Sequence, residues 1–195
     1  MSNKPIKGEF LEILLRSPYT IFSTKDVALL WGESNASRVS DRLKTYVRSG
    51  KLVRVRRGLY AKDKNYNRLE LATRIYTPAY ISFETVLTRE GTVFQYYGNI
   101  FVASYIGRDI VADGQPISFV RMKDYILSNT AGIEHKDGVA IASKERAFLD
   151  RLYVSKEYYF DNLDSLDWSQ VFTLVPIYKS KRLEKTVQKY YEFLD

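Results

Sequence analysis

The chain has 195 residues, a size for one large domain or two small ones, and 45% of them are hydrophobic, enough for a buried core. The absence of cysteine excludes disulfides and thiolate metal sites, and no apolar run approaches the ~20 residues of a membrane span. The net charge of +7 is uneven: residues 1–67 carry 14 Lys or Arg against 6 Asp or Glu, and residues 68–195 carry 16 against 17. A basic first third points to a polyanion partner there, with a different task for the near-neutral remainder.

A first helix is expected over residues 5–16, with Pro5 in its first turn and Ile6, Phe10, Ile13 and Leu14 on one face. Its apolar run, Phe10 to Leu15, is interrupted by Glu12 and bordered by Glu9 and Arg16. That is unlike a signal peptide, so a cytoplasmic location is expected. Ser17-Pro18 stops the helix, because proline pushes the preceding residue out of the α region. Ile21 and Phe22 suit a short extended piece. Ser23 and Asp26 then form a capping box for a second helix, with Val27, Leu29, Leu30 and Trp31 as its apolar side and Gly32 at its end. A third helix, capped by Ser34 or Asn35, turns Ala36, Val39, Leu43, Tyr46 and Val47 inward. Outside it leaves Asn35, Ser37, Arg38, Asp41, Arg42, Thr45 and Arg48. A strand through Leu52, Val53 and Val55, a tip at Arg56-Arg57-Gly58 and a return through Leu59-Tyr60-Ala61 complete a hairpin.

Three helices and a hairpin in this order are the outline of a winged helix-turn-helix. Between Arg38 and Arg57 stand eight Lys or Arg residues and one acid, Asp41. Arg38 and Arg42, one turn apart on the outer face, suit base edges, since an arginine donates two hydrogen bonds to guanine O6 and N7. Asn35 and Ser37 at the helix start suit bases or phosphate. Arg54, Arg56 and Arg57 on the hairpin suit phosphate or the minor groove, and Lys25, Arg48 and Lys51 suit the backbone.

The polar run Lys62 to Asn67 is the expected boundary, giving a winged-helix domain over 1–66 and a second domain over 67–195. The fold class expected is α+β, the second part being a mixed α/β domain with a small sheet and terminal helices. Its elements are a helix over 68–76, a brief extended piece after Pro78, a helix capped by Ser82 and closed by Gly91, and strands over 99–106, 117–122 and 139–141. They continue with a helix over 143–153 capped by Ser143, a helix capped by Asp167 and ended or kinked by Pro176, and a last helix using Leu183, Val187, Tyr190, Tyr191 and Leu194.

No catalytic group, metal site or cofactor is expected. His135 is the only histidine, the Asp161, Asp164, Asp167 series lacks the central glycine of a calcium loop, and no glycine-rich phosphate loop is present. Ser143 beside Lys144 reads as a cap, since nothing supplies a second base or oxyanion hole. The sixteen tyrosines are scattered through both parts and read as packing.

RVRRGLYA (54–61), ISFETVL (81–87) and ASKERAFLD (142–150), in this order and spacing, resemble the AbiEi-type antitoxins, the transcriptional regulators of type IV abortive-infection toxin–antitoxin systems. The resemblance implies an N-terminal winged helix that binds inverted repeats in its own promoter; the mechanism expected from it is repression, with two copies on a repeat occluding the promoter. It implies a C-terminal domain that counters a nucleotidyltransferase toxin without forming a stable complex with it. Glu145, Arg146 and Asp150 either help form the surface that opposes the toxin or serve structure, as a first-turn acid and an i, i+4 ion pair. The rival expectation is a winged-helix regulator whose second domain is a small-molecule sensor or an enzyme, marked by a deep pocket with convergent polar groups.

Overall fold

A computed structural model describes residues 8–155 and 157–193. Pro5, Ile6 and Leu194, expected in the first and last helices, lie outside the described residues. The fold is α+β, with two sheets. Among the described residues no helix is long and apolar enough to cross a membrane.

The chain begins with α1 (Glu9–Arg16), β1 (Ile21–Ser23), α2 (Thr24–Leu30), α3 (Ala36–Arg48), β2 (Val53–Arg56) and β3 (Leu59–Ala61). The three strands form an antiparallel sheet in the order β1-β3-β2. Strand side chains alternate between faces, and here both faces are used. Phe22 and Tyr60, paired across the sheet, join Leu14, Val27, Trp31, Val39, Leu43 and Leu52 in a core under the helices. Ile21 and Ala61, the adjacent pair, belong with Leu59 to a second, larger core in the rest of the chain. Trp31 anchors the first core: its Nε1 donates to Phe10 O at 2.8 Å and its ring meets Phe10 edge-on. Full burial of a side chain of this kind contributes roughly 1.5–3 kcal/mol.

The capping box of α2 is present in both directions, Ser23 to Asp26 and back. Its apolar side is narrower than expected. Val27 and Trp31, one turn apart, face the core, while Leu29 is 82% exposed and Leu30 is also exposed. A seven-residue helix packed along one line buries only that line. Ala36 is exposed as well, since it stands at the first position of α3, ahead of the buried Val39 and Leu43.

Residues 62–67 lack regular structure but are held along their length. Lys62 Nζ donates to the carbonyls of Leu15 and Ser17. Tyr66 OH donates to Asp113 Oδ2 at 2.5 Å, and Asn67 N–H donates to Thr20 Oγ1 at 2.9 Å. Next comes α4 (Arg68–Ile75), capped by Asn67. Its Glu70, fully buried, accepts from the N–H and hydroxyl of Thr20 at 2.8 and 2.6 Å and from Arg74 Nε at 3.0 Å. Arg74 Nη1 reaches Asp26 Oδ2 at 2.7 Å, so a continuous polar chain ties α4 to the start of α2.

Burial, then the bond to Asp113, pushes the Tyr66 phenol up to about 12. A folded-state pKa raised above the unfolded value of ~10 means stability present below pH ~10 and lost as pH rises through the folded value. Absorbance titration at high pH should therefore show a tyrosine that ionises late in wild type and is missing in Tyr66→Phe. Amplitude lost near pH ~10 instead of about 12 would count against the bond.

The second sheet has six strands: β4 (Ala79–Ile81), β5 (Ile100–Ser104), β6 (Arg108–Ala112), β7 (Gln115–Arg121), β8 (Ile133–Lys136) and β9 (Val139–Ala142), in the order β6-β7-β5-β4-β9-β8. Pairing is parallel for β5/β7 and β4/β9 and antiparallel elsewhere. Both outer strands are hairpin partners turned by Asp-Gly pairs, Asp113-Gly114 and Asp137-Gly138, with positive φ at all four residues, as two-residue hairpin turns demand. The helices are α5 (Glu84–Arg89), α6 (Asp124–Leu127), α7 (Lys144–Val154), α8 (Trp168–Leu174) and α9 (Lys181–Glu192). Pro176 does not simply end α8: the chain continues into a 3-10 turn over Val175–Tyr178. Ser82 does not cap α5. Phe83 takes the cap position at φ 54, and Ser82 faces inward to Asp150.

Candidate nucleic-acid interface

Asn35 settles where α3 begins. Its side-chain oxygen accepts from the N–H groups of Ser37 and Arg38 at 3.0 and 3.2 Å, which satisfies two of the helix's free donors. With Val39 and Leu43 fully buried, helical period places Ser37, Arg38, Asp41, Lys44, Thr45 and Arg48 on the exposed side. Lys44 Nζ bonds Asp41 Oδ1 at 2.9 Å, and this contact holds the Asp41 carboxyl below its usual value. The single acid of the face is thereby paired within it. Asn35→Ala should cost ~1 kcal/mol of stability, read as a lower urea midpoint. An unchanged midpoint would contradict the cap.

Arg42 does not stand beside Arg38 as a free base reader. Its guanidinium lies 3.4 Å from the Phe10 ring centroid and 5.6 Å from that of Trp31, in a half-buried position. It is stacked on aromatic faces and holds α3 against α1. The sequence pattern gave Arg42 an outward position, but the pattern carries no sign of Phe10 arriving from another helix.

The β2–β3 hairpin supplies the second group of cations. Arg57-Gly58 is the tip, with Gly58 at φ 79. Arg54 and Arg57 are exposed, and Arg56 is half-buried beyond a bulge that shifts the register between Arg54 and Arg56. The tip is tied to α2, since Thr24 N–H donates to Gly58 O at 3.2 Å. Lys25, the next residue, is exposed there, and Lys51 is exposed between α3 and β2. Among the described residues none of Lys25, Arg38, Arg48, Lys51, Arg54, Arg56 or Arg57 forms an ion pair. All but the half-buried Arg56 are exposed, and none is held in an ion pair, a state suited to phosphate oxygens or base edges.

Glu145, Arg146 and Asp150 do not form a surface. All three are buried, Arg146 and Asp150 completely. Arg146 Nη1 and Nη2 donate to Ala131 O and Ile126 O at 3.0 and 2.8 Å, and Nε lies 3.5 Å from Asp150 Oδ1. Asp150 accepts from Ser82 Oγ at 2.7 Å, Tyr178 OH at 2.7 Å and Tyr80 OH at 3.2 Å. Burial pushes the Asp150 carboxyl up, against the pull of Arg146 and the three hydroxyls. Glu145 Oε1 accepts from Asp167 N–H at 3.2 Å and so fixes the start of α8. These residues join β4, α7 and the 3-10 turn from within. The i, i+4 spacing of 146 and 150 was legible; that their face turns inward was not. Nothing local in the sequence connects them to Tyr80, Ser82 or Tyr178. The chain matches no protein-family model and no curated protein.

Proposed function

We propose that the chain is a DNA-binding transcriptional repressor, with a winged helix-turn-helix over residues 1–66 and α3 as its recognition helix. The supporting observation is a set of cations: Arg38 and Arg48 on α3, and Arg54 and Arg57 on the hairpin that follows it, all exposed and, among the described residues, without ion-pair partners. The order helix, strand, helix, helix, strand, strand is that of winged helices, in which the third helix enters the major groove and the hairpin lies along the flanking backbone. Arg38 reads a base, while Arg48, Arg54, Arg57, Lys25 and Lys51 hold phosphates. Two copies occupy an inverted repeat in the chain's own promoter.

The resemblance to AbiEi-type antitoxins extends the proposal. Residues 67–195 counter a nucleotidyltransferase toxin in the cytoplasm, without a stable complex and without catalysis of their own. Since Glu145, Arg146 and Asp150 are interior, that action uses other residues of the second part.

The test is a titration of cognate and scrambled duplexes with wild type and Arg38→Ala. The expected result is a loss of ~1–3 kcal/mol on the cognate duplex, with little change on the scrambled one. Equal loss on both would remove the base-reading role.

A further inference from the structure

A pocket of about 320 Å³ lies against α5, lined by Glu84, Thr85, Tyr96, Tyr97, Asn99 and Gln115 among others. Its size falls at the lower end of small-ligand pockets, roughly 300–1,000 Å³. Nothing in the DNA-binding proposal uses it.

Glu84 is only 3% exposed. Its Oε1 lies 3.2 Å from Arg151 Nη1, while Oε2 is buried without a hydrogen-bond partner. A buried carboxylate oxygen left in that state is uncommon and costly. Most of the other polar groups of the lining also present acceptors; Thr85 is the exception, since its Oγ1 accepts from Phe101 N–H at 2.7 Å and keeps a free O–H. Gln115 Nε2 donates to Gly98 O and Pro116 O at 2.8 and 3.1 Å. Both partners only accept, which fixes the amide's orientation and leaves its oxygen for a ligand. Asn99 Nδ2 donates to Ser118 Oγ at 2.9 Å, again leaving the oxygen. The Thr88 hydroxyl, also in the lining, donates to Gln95 O at 3.2 Å. Arg89, the cation among the lining residues, is held by Glu90 Oε1 at 3.0 Å. Tyr96 is 84% exposed, and with Tyr97 it adds aromatic ring faces.

We infer that this pocket binds a guanidinium group. A guanidinium brings several N–H donors in one plane, for Glu84 Oε2 and the two amide oxygens. Its delocalised charge also suits a tyrosine face. A phosphate or carboxylate would meet acceptor oxygens and be repelled. The same chemistry is carried by a small guanidine compound and by an arginine side chain of a partner protein.

The experiment is a nitrogen-15 NMR titration of the full chain with methylguanidinium, N-acetylarginine amide, an arginine-centred peptide, and methylurea as the uncharged analogue. Saturable shifts are expected at Tyr96, Tyr97 and Asn99 with the guanidinium probes, and binding about ten-fold weaker or more with methylurea. Glu84→Gln should weaken guanidinium binding about ten-fold. Because that change also touches Arg151, Tyr96→Ala provides a second variant, at an exposed position, with a loss of about three-fold. Equal affinity for the amide and the peptide assigns the site to a small molecule, and a peptide about ten-fold tighter or more assigns it to a partner's arginine. The absence of saturable shifts at these residues, equal binding of methylurea, or binding unaltered in both variants would overturn the inference.

Discussion

Arg146→Met is expected to cost the fold roughly 3–5 kcal/mol, the range for removing one partner of a buried ion pair. The guanidinium has no contact with solvent, and its removal strips a donor from the Ala131 and Ile126 carbonyls and the Tyr80 hydroxyl, and the counter-charge from Asp150. The carboxylate would keep its bonds from Ser82, Tyr80 and Tyr178 but lose its counter-charge. With Arg146 gone, burial is opposed only by the three hydroxyls, so the Asp150 pKa rises further above its unfolded value. The folded state of the variant then binds the proton more tightly than the unfolded state, so acidification stabilises it relative to wild type. The deficit measured by urea unfolding should therefore shrink as pH falls from 7 toward ~4, the unfolded carboxylate range. Adding Asp150→Leu should recover part of the loss, because the uncompensated charge leaves with it. A deficit under ~1 kcal/mol, the size of an exposed pair, would mean that the two charges are not buried against each other in solution.

The triple replacement Arg38→Ala, Arg54→Ala and Arg57→Ala is expected to lower duplex affinity by roughly 100- to 1,000-fold, since each lost phosphate or base contact costs ~1 kcal/mol or more. The fold should be untouched, because all three side chains are exposed and none is in an ion pair. Unfolding curves of the variant should overlay those of wild type, which separates a binding defect from a folding one. Arg42→Ala provides the contrast. Its guanidinium stacks on Phe10, so stability should fall along with affinity.

Local chemistry in the sequence located the N-terminal elements well. The Ser23–Asp26 capping box, the Asn35 cap and Gly58 at the hairpin tip are short-range signals that read the same in the chain and in the fold. β6 and β8 escaped because their segments are polar outer strands, Arg108–Ala112 and Ile133–Lys136, without the apolar alternation of a half-buried strand. The Asp113-Gly114 and Asp137-Gly138 pairs were the available signal, since Asp-Gly is a strong hairpin cue. Side-chain direction was harder to read where a distant segment decides it. Arg42 turns to Phe10, Ser82 turns to Asp150 rather than capping α5, and Glu84 is buried against Arg151. The helical and strand periods say which residues share a face. They do not say whether water or another element covers it.

The most direct measurement is the affinity of wild type for a duplex carrying the inverted repeat, followed across a series of salt concentrations. Each phosphate neutralised contributes a slope of about −0.9 in log K against log salt. Lys25, Arg48, Lys51, Arg54 and Arg57 acting together should give a slope between about −4 and −5 for each copy bound, reduced by nearly two per copy when Arg54 and Arg57 are removed. A slope near zero, or one that the double replacement leaves unchanged, would show that the exposed cations of α3 and its hairpin do not meet DNA.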